Sequence, residues 1–198
     1  KYRNPAIILA DGVIGQMMEK VVLPEQRPRL TNEEVMARCP WATFGKLKHR
    51  GPNIVTSLEL DPAEMEKRNI HLQQKYAEIE EKEVRYEEIH CDDAEYLIVA
   101  FGSCARIAQK AMEEARAEGI KVGLLRPITL WPFPSKAIAE RSRQVKGILT
   151  VELNAGQMVE DVRLAVECKV PVEYFGRLGG IVPDPDEVVT ALKEKIIK

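Results

Sequence analysis

The side chains able to do chemistry are few, and their spacing does not assemble them. His49, His71 and His90 are the histidines, and none stands beside a cysteine or carboxylate at metal-ligand spacing. All three precede residue 96, so the remainder of the chain has no imidazole for proton transfer at neutral pH. Cys39, Cys91, Cys104 and Cys168 include no C-x-x-C pair, which argues against a zinc ribbon or a bacterial-type iron–sulfur run and favours buried free thiols. Ser103 follows a glycine, but G-x-S-x-G is absent and no base can be named for it. The expectation is a chain with no metal ligands and no complete catalytic centre.

Three glycine-bearing turns remain. Phe101-Gly102-Ser103-Cys104-Ala105 opens a helix after an apolar run, where free N–H groups can hold an anion. It matches neither G-x-G-x-x-G nor G-x-x-x-x-G-K-[ST], and no acidic residue ends the next strand, so a plain helix start is favoured. Asn154-Ala155-Gly156 leads into a helix whose first turn carries Gln157 and Glu160. Gly176-Arg177-Leu178-Gly179-Gly180 joins pliable backbone to one guanidinium, which suits a phosphate or carboxylate and suits equally a tight turn with Arg177 exposed or paired. The candidate contacts are therefore Gly102, Ser103, Asn154, Gly156, Gln157, Arg177, Gly179 and Gly180, with no catalytic or cofactor-binding role assigned to any of them.

The elements that position these turns alternate regularly. Apolar runs at 96–101, 121–125, 147–153 and 170–175 read as buried strands. Between them lie helical faces: Ile107, Ala108, Ala111, Met112 and Ala115 before Gly119; a short helix capped by Ser135; then Val159, Val162, Ala165 and Val166. A last helix starts at Asp184-Pro185-Asp186-Glu187. Such alternation implies right-handed crossovers, and therefore an α/β fold: an open, mainly parallel sheet with helices on both faces. All three turns then emerge on one carboxyl edge, where open α/β sheets place ligands.

Upstream the pattern changes. Residues 6–10 are a continuous apolar run read as a buried strand, and a helix-like stretch follows through Met18. A buried strand needs neighbours, so this βα unit is expected to close a preceding domain, with the chain truncated at its N-terminus. Residues 21–57 carry Pro24, Pro28, Pro40, Gly45, Gly51 and Pro52 around Trp41 and Phe44, and read as an arm, either a plain linker or one that docks on another surface. Asp61-Pro62-Ala63-Glu64 has the residues of a capped helix start, and no Gly or Pro interrupts the chain from there to His90. Met65, Leu72, Tyr76, Ile79 and Tyr86 make a narrow stripe on that charged rod, which should lie across a neighbouring surface. Lys and Arg number 29 against 31 Asp and Glu, so no basic field attracts nucleic acid. With no apolar run near the ~18 residues that cross a bilayer, and no signal peptide at the start, a soluble cytoplasmic protein away from the membrane is expected.

Several stretches together resemble the alpha subunit of 2-oxoacid:ferredoxin oxidoreductases. They are D-G-V-I-G-Q-M-M at 11–18, Trp41-Ala42-Thr43, N-I-H-L-Q at 69–73, V-R-Y-E-E at 84–88, Y-L-I-V-A-F-G-S at 96–103, L-R-P-I-T-L-W-P-F-P at 125–134 and E-L-N-A-G-Q-M at 152–158. The resemblance spans nearly the whole chain, and the last two segments in succession are its most specific feature. It implies a transketolase C-terminal-like domain at 96–198, a linker arm and long helix at 21–95, and at 1–20 the end of a pyrimidine-side thiamine diphosphate domain.

In such enzymes the thiamine ylide adds to the 2-oxo carbon, carbon dioxide leaves, electrons pass through iron–sulfur clusters to ferredoxin, and the acyl group goes to coenzyme A. Thiamine diphosphate, Mg and iron–sulfur clusters are thus expected in the full complex and none in this chain. Beta- and gamma-type subunits are the implied partners and ferredoxin an indirect one, with self-association left open. The rod motifs look closest to enzymes of branched-chain substrates such as 3-methyl-2-oxobutanoate, with 2-oxoglutarate a close second. The piece is expected to brace subunits and to be inactive alone. The alternatives are the C-terminal domain of a lipoyl-dependent 2-oxoacid dehydrogenase component and a non-enzymatic interaction module.

Overall fold

Strand-forming runs of Val, Ile and Leu become the centre of a five-stranded sheet in the computed structural model, which describes residues 1–43 and 51–197. The strands are β1 (Tyr86–Ile89), β2 (Tyr96–Ala100), β3 (Val122–Pro127), β4 (Ile148–Glu152) and β5 (Val172–Gly176), in the order β1-β3-β2-β4-β5. β2, β3, β4 and β5 are parallel, and β1 adds antiparallel to β3. The helices are α1 (Gly12–Gln16), α2 (Asn32–Arg38), α3 (Pro62–Lys82), α4 (Gly102–Ala117), α5 (Ser135–Arg141), α6 (Met158–Val166) and α7 (Pro185–Leu192), the last continuing into a π-helical turn at Lys193–Ile197.

Alternate residues of the central strands feed two cores, because side chains in a strand point to opposite faces. Ile98, Ala100, Leu124, Leu149 and Val151 pack under α4 and α7, against Ala108, Met112, Val188 and Leu192. Leu97, Val99, Leu125 and Ile148 pack on the other face under α5 and α6, against Ile138, Val159 and Val162. Each fully buried Leu, Ile or Val contributes roughly 1.5–3 kcal/mol, whereas a helix cap contributes about 1 kcal/mol. The double-sided core therefore dominates, and the mainly parallel sheet covered on both faces is as the strand–helix alternation implies.

The long helix differs from expectation at its C-terminal end. α3 is capped by Asp61, whose Oδ1 accepts from Ala63 N at 2.8 Å and Glu64 N at 3.1 Å. The Glu64 carboxylate pairs with Lys67 at 2.6 Å instead of reaching back. The helix stops at Lys82, and V-R-Y-E-E enters an edge strand, where the sequence reading continued the rod to His90. Absence of a breaker is not a reason for a helix. What decides is partners supplied from afar: Arg126 Nη1 donates to Glu87 at 3.1 Å, Arg141 Nε to Glu88 at 3.0 Å, and Arg85 N to Thr129 Oγ1 at 2.9 Å. A short, charged strand is also what tolerates an edge position. The stripe holds within the helix, with Ile79 buried and Tyr76 edge-on to Trp131 at 5.7 Å between ring centres.

Two compact units result, Lys1–Met17 with Lys75–Lys198, and Met18–Gln74. Within the first, residues 6–10 form no strand, and Ile7, Ile8 and Leu9 are exposed. An apolar run becomes a buried strand only when a ladder and two covering faces are supplied, and among the described residues none is. The helix-like stretch after it is the five residues of α1, capped by Asp11. Within the second unit, α2 carries a capping box of Thr31 and Glu34, and Asn53 Nδ2 donates to the carbonyls of Pro40 and Ala42 at 2.7 and 2.8 Å. No described residue of Met18–Gln74 is buried. Phe44, Gly45 and His49 lie outside the described residues. At α5, Ser135 is the first helical residue and Pro134 the cap position, with no side-chain cap bond.

Candidate functional site

The carboxyl edge is built around a residue that pattern reading passed over. β4 ends in Glu152, whose side chain has no exposed surface. Its oxygens accept from the backbone N–H groups of Gln157 at 3.1 Å, Met158 at 2.8 Å and Val159 at 3.0 Å. These are the open donors at the start of α6, where Gln157 makes no side-chain cap bond. An ionised carboxylate at a helix N-terminus is favoured by the partial positive charge there, and its hydrogen bonds are of the stronger, charge-assisted kind. Burial, then Glu160, then Glu152 push the Asp161 carboxyl in the same first turn upward.

Glu152 also organises its neighbours. Its carbonyl accepts from Arg177 N at 3.3 Å, tying the end of β4 to the segment after β5. Asn154 Oδ1 accepts from Gly156 N at 2.7 Å in a turn that puts Gly156 at φ +97°. The Tyr174 hydroxyl donates to the Asn154 carbonyl. Burial raises the Tyr174 pKa, with the nearby Glu152 charge adding to the shift.

The other candidate residues are satisfied from within the chain. Gly102 starts α4 at φ +56°, a conformation that suits glycine, and Ser103 Oγ donates to Asp11 Oδ2 at 2.5 Å. Asp11 also accepts from Ile14 N at 2.8 Å, and Ser103 first, then this amide, hold its carboxyl below the ordinary range. Arg177 takes the paired form of its two readings, with Nε and Nη2 both donating to Glu187 in the first turn of α7. Gly179 and Gly180 follow at φ +67° and +86°. The three turns do share one edge, since each follows the C-terminal end of its strand and β2, β4 and β5 are parallel neighbours in the sheet.

The thiols divide. Burial pushes Cys91 and Cys104 up to about 11, so both stay protonated, inert core residues. Cys168 departs from the buried reading: it is exposed, at φ +58° after Glu167 at φ +53°, because α6 ends in two left-handed residues. Among the described residues no group of three His, Cys, Asp or Glu is arranged to hold a metal ion. A separate open groove of about 550 Å³ runs along the first turns of α3, lined by Pro62, Met65, Ile70 and Gln73, and includes none of the candidate residues. No described helix is long and apolar enough to cross a membrane.

The signal that could have found Glu152 is local. A carboxylate closes a strand five residues before the cap position of a helix, and that position holds no Ser, Thr, Asp or Asn.

Comparison with known proteins agrees with this architecture. The profile described as pyruvate:ferredoxin oxidoreductase core domain II matches residues 94–188. The ketoisovalerate oxidoreductase subunit VorB of Methanothermobacter thermautotrophicus is 46% identical over 98% of this chain and 53% of its own length. The 2-oxoglutarate synthase subunit KorA of Archaeoglobus fulgidus is 30% identical over 93% of this chain and 51% of its own length. The chain thus spans about half the length of the curated relatives it matches.

Among solved structures, the 2-oxoglutarate:ferredoxin oxidoreductase from Magnetococcus marinus superposes with a TM-score of 0.61 at 24% identity, over 69% of this chain and 24% of that one. A split gene transketolase gives 0.50 at 21% identity, over 57% and 41%. These two likenesses concern the fold, and it is the transketolase C-terminal-like one. Profile, relatives and sheet thus agree on what this chain is similar to: residues 94–188 match pyruvate:ferredoxin oxidoreductase core domain II, within a chain 46% identical to about half of a ketoisovalerate oxidoreductase subunit.

Proposed function

We propose that this chain is part of the alpha-type subunit of a thiamine diphosphate-dependent 2-oxoacid:ferredoxin oxidoreductase. The assembled enzyme oxidatively decarboxylates a branched-chain 2-oxoacid such as 3-methyl-2-oxobutanoate to its acyl-coenzyme A. The supporting observation is the 46% identity to a ketoisovalerate oxidoreductase subunit along 98% of the chain, against 30% for a 2-oxoglutarate synthase subunit over 93%. On this reading residues 96–198 are the bracing domain, 21–95 the arm and helix that join it to the rest, and 1–20 the end of the thiamine-side domain. Beta- and gamma-type subunits are its partners, ferredoxin is reached through them, and the location is cytoplasmic.

The described residues do not fit thiamine diphosphate, Mg or an iron–sulfur cluster. The donors at the carboxyl edge are engaged by Glu152, Asp11 and Glu187, and the thiols of Cys91 and Cys104 lie in separate cores. Those groups belong to other parts of the assembly, and the role of this chain is to hold subunits in place.

The test is co-purification with the neighbouring subunits, followed by reduction of a low-potential dye with a panel of 2-oxoacids and coenzyme A. Turnover with 3-methyl-2-oxobutanoate, ahead of 2-oxoglutarate and without any lipoyl protein, is the expected result. Activity that requires a lipoyl carrier would select the dehydrogenase alternative, and no activity in any reconstitution would select the interaction module. Calorimetric titration of the isolated chain with thiamine diphosphate should show no micromolar binding.

A further inference from the structure

The carboxyl edge looks like a ligand site because backbone donors and a guanidinium meet there, yet each donor already faces a carboxylate of the same chain. Exposure separates the three cases. The Arg177 and Glu187 side chains are 40% and 34% exposed, and Ser103 with Asp11 is partly buried. The Arg177–Glu187 ion pair can open toward water at little cost, because solvent screens a pair with that much exposure. Glu152 has no exposed surface, and withdrawing it would strand three N–H groups and a charge inside the protein.

We propose that Glu152 is a resident anion: it occupies the N-terminal site of α6 itself, closes that terminus to the carboxylate or phosphate of any ligand, and is the positioning residue for the turn at 153–157. Four features meet on this assignment. α6 has no side-chain cap of its own. The Glu152 carboxylate spans three consecutive amides, and its carbonyl at the same time receives Arg177 N. The Tyr174 hydroxyl closes the far side of the turn on the Asn154 carbonyl. Gly176 leaves the room this needs, since a Cβ there would stand 2.6 Å from the Glu152 carbonyl oxygen. The side chain must be Glu, because an aspartate at the end of β4 is one methylene short of the helix start. The inference rests on the geometry of this edge and is independent of the oxidoreductase reading.

The experiment compares wild type and Glu152→Ala in the intact protein, following amide exchange across 153–162 and the thermal midpoint during titration with formate, with chloride at matched ionic strength. In wild type the amides of Gln157, Met158 and Val159 should be protected, and formate should act no differently from chloride. In Glu152→Ala their exchange should rise about ten-fold or more, the equivalent of one charge-assisted hydrogen bond, and formate should restore both protection and midpoint while β2 peptides stay unchanged. Fast exchange of these amides in wild type, an unchanged variant, or equal formate response in both proteins would overturn the assignment. Should the alanine variant fail to fold, Glu152→Gln has the same volume and no charge. It should raise exchange at the same three amides with no formate response, because the carboxamide fills the site, and unaltered exchange in that variant would equally overturn it.

Discussion

Gly176 shows how a single residue can be required without an unusual backbone angle. A methyl group there would run into the Tyr174 ring and the Glu152 carbonyl, both fixed by the hydrogen bonds of the β4–α6 turn. Gly176→Ala is therefore predicted to lower stability by about 1–3 kcal/mol, the usual cost of overpacking, read as a lower denaturant midpoint with unchanged slope. At Asp11 the prediction concerns pH. Its folded carboxyl lies below the ordinary 3.8, so the stability it contributes is fully present above that value and is lost as pH falls through the lower folded one. Ser103→Ala removes the largest cause of the shift. The gap in urea midpoint between wild type and variant should be widest at neutral pH and close progressively below pH 3.8.

For whole elements the balance is between end effects and buried faces. α7 has both a capping box, Asp184 with Glu187, and a buried face of Val188, Ala191 and Leu192 packed against α4. Asp184→Ala should cost about 1 kcal/mol. Leu192→Ala, at a side chain with no exposure, should cost roughly 2–5 kcal/mol. Thermal unfolding of the two variants side by side checks the order, and a larger loss from the cap would mean that the seam between α4 and α7 is loose. β1 illustrates the opposite regime. It buries little and carries charge pairs to Arg126 of β3 and Arg141 of α5, so it marks an edge without anchoring a core.

Across the molecule, stability is unevenly distributed. The Lys75–Lys198 part of the first unit holds the double-sided core, while no described residue of Met18–Gln74 is buried. Segments with few buried apolar contacts open at low free energy. Limited proteolysis should therefore cut the isolated chain first within 18–74 and leave a resistant fragment beginning near α3, as mass spectrometry of the products would show. Assembly with partner subunits should slow those same cuts if the exposed Val21, Val22, Leu23, Ile54 and Leu60 are covered there. Equal cleavage in the isolated and assembled forms would mean that the arm is a plain linker.

Read alone, the order of residues determined the four parallel strands to within about two positions, the helices between them and the single edge on which their loops emerge. Those features follow from continuous apolar runs buried on both faces and from the handedness of crossovers, which act on neighbouring segments and leave a local trace. Tertiary structure decided the rest: the strand at Tyr86–Ile89, the pairing of Arg177 with Glu187 and the exposure of residues 6–10. In each case the backbone or side chain had more than one chemically reasonable partner, and the choice depended on which one the folded chain brought within hydrogen-bond reach. Composition and spacing carry no record of that distance.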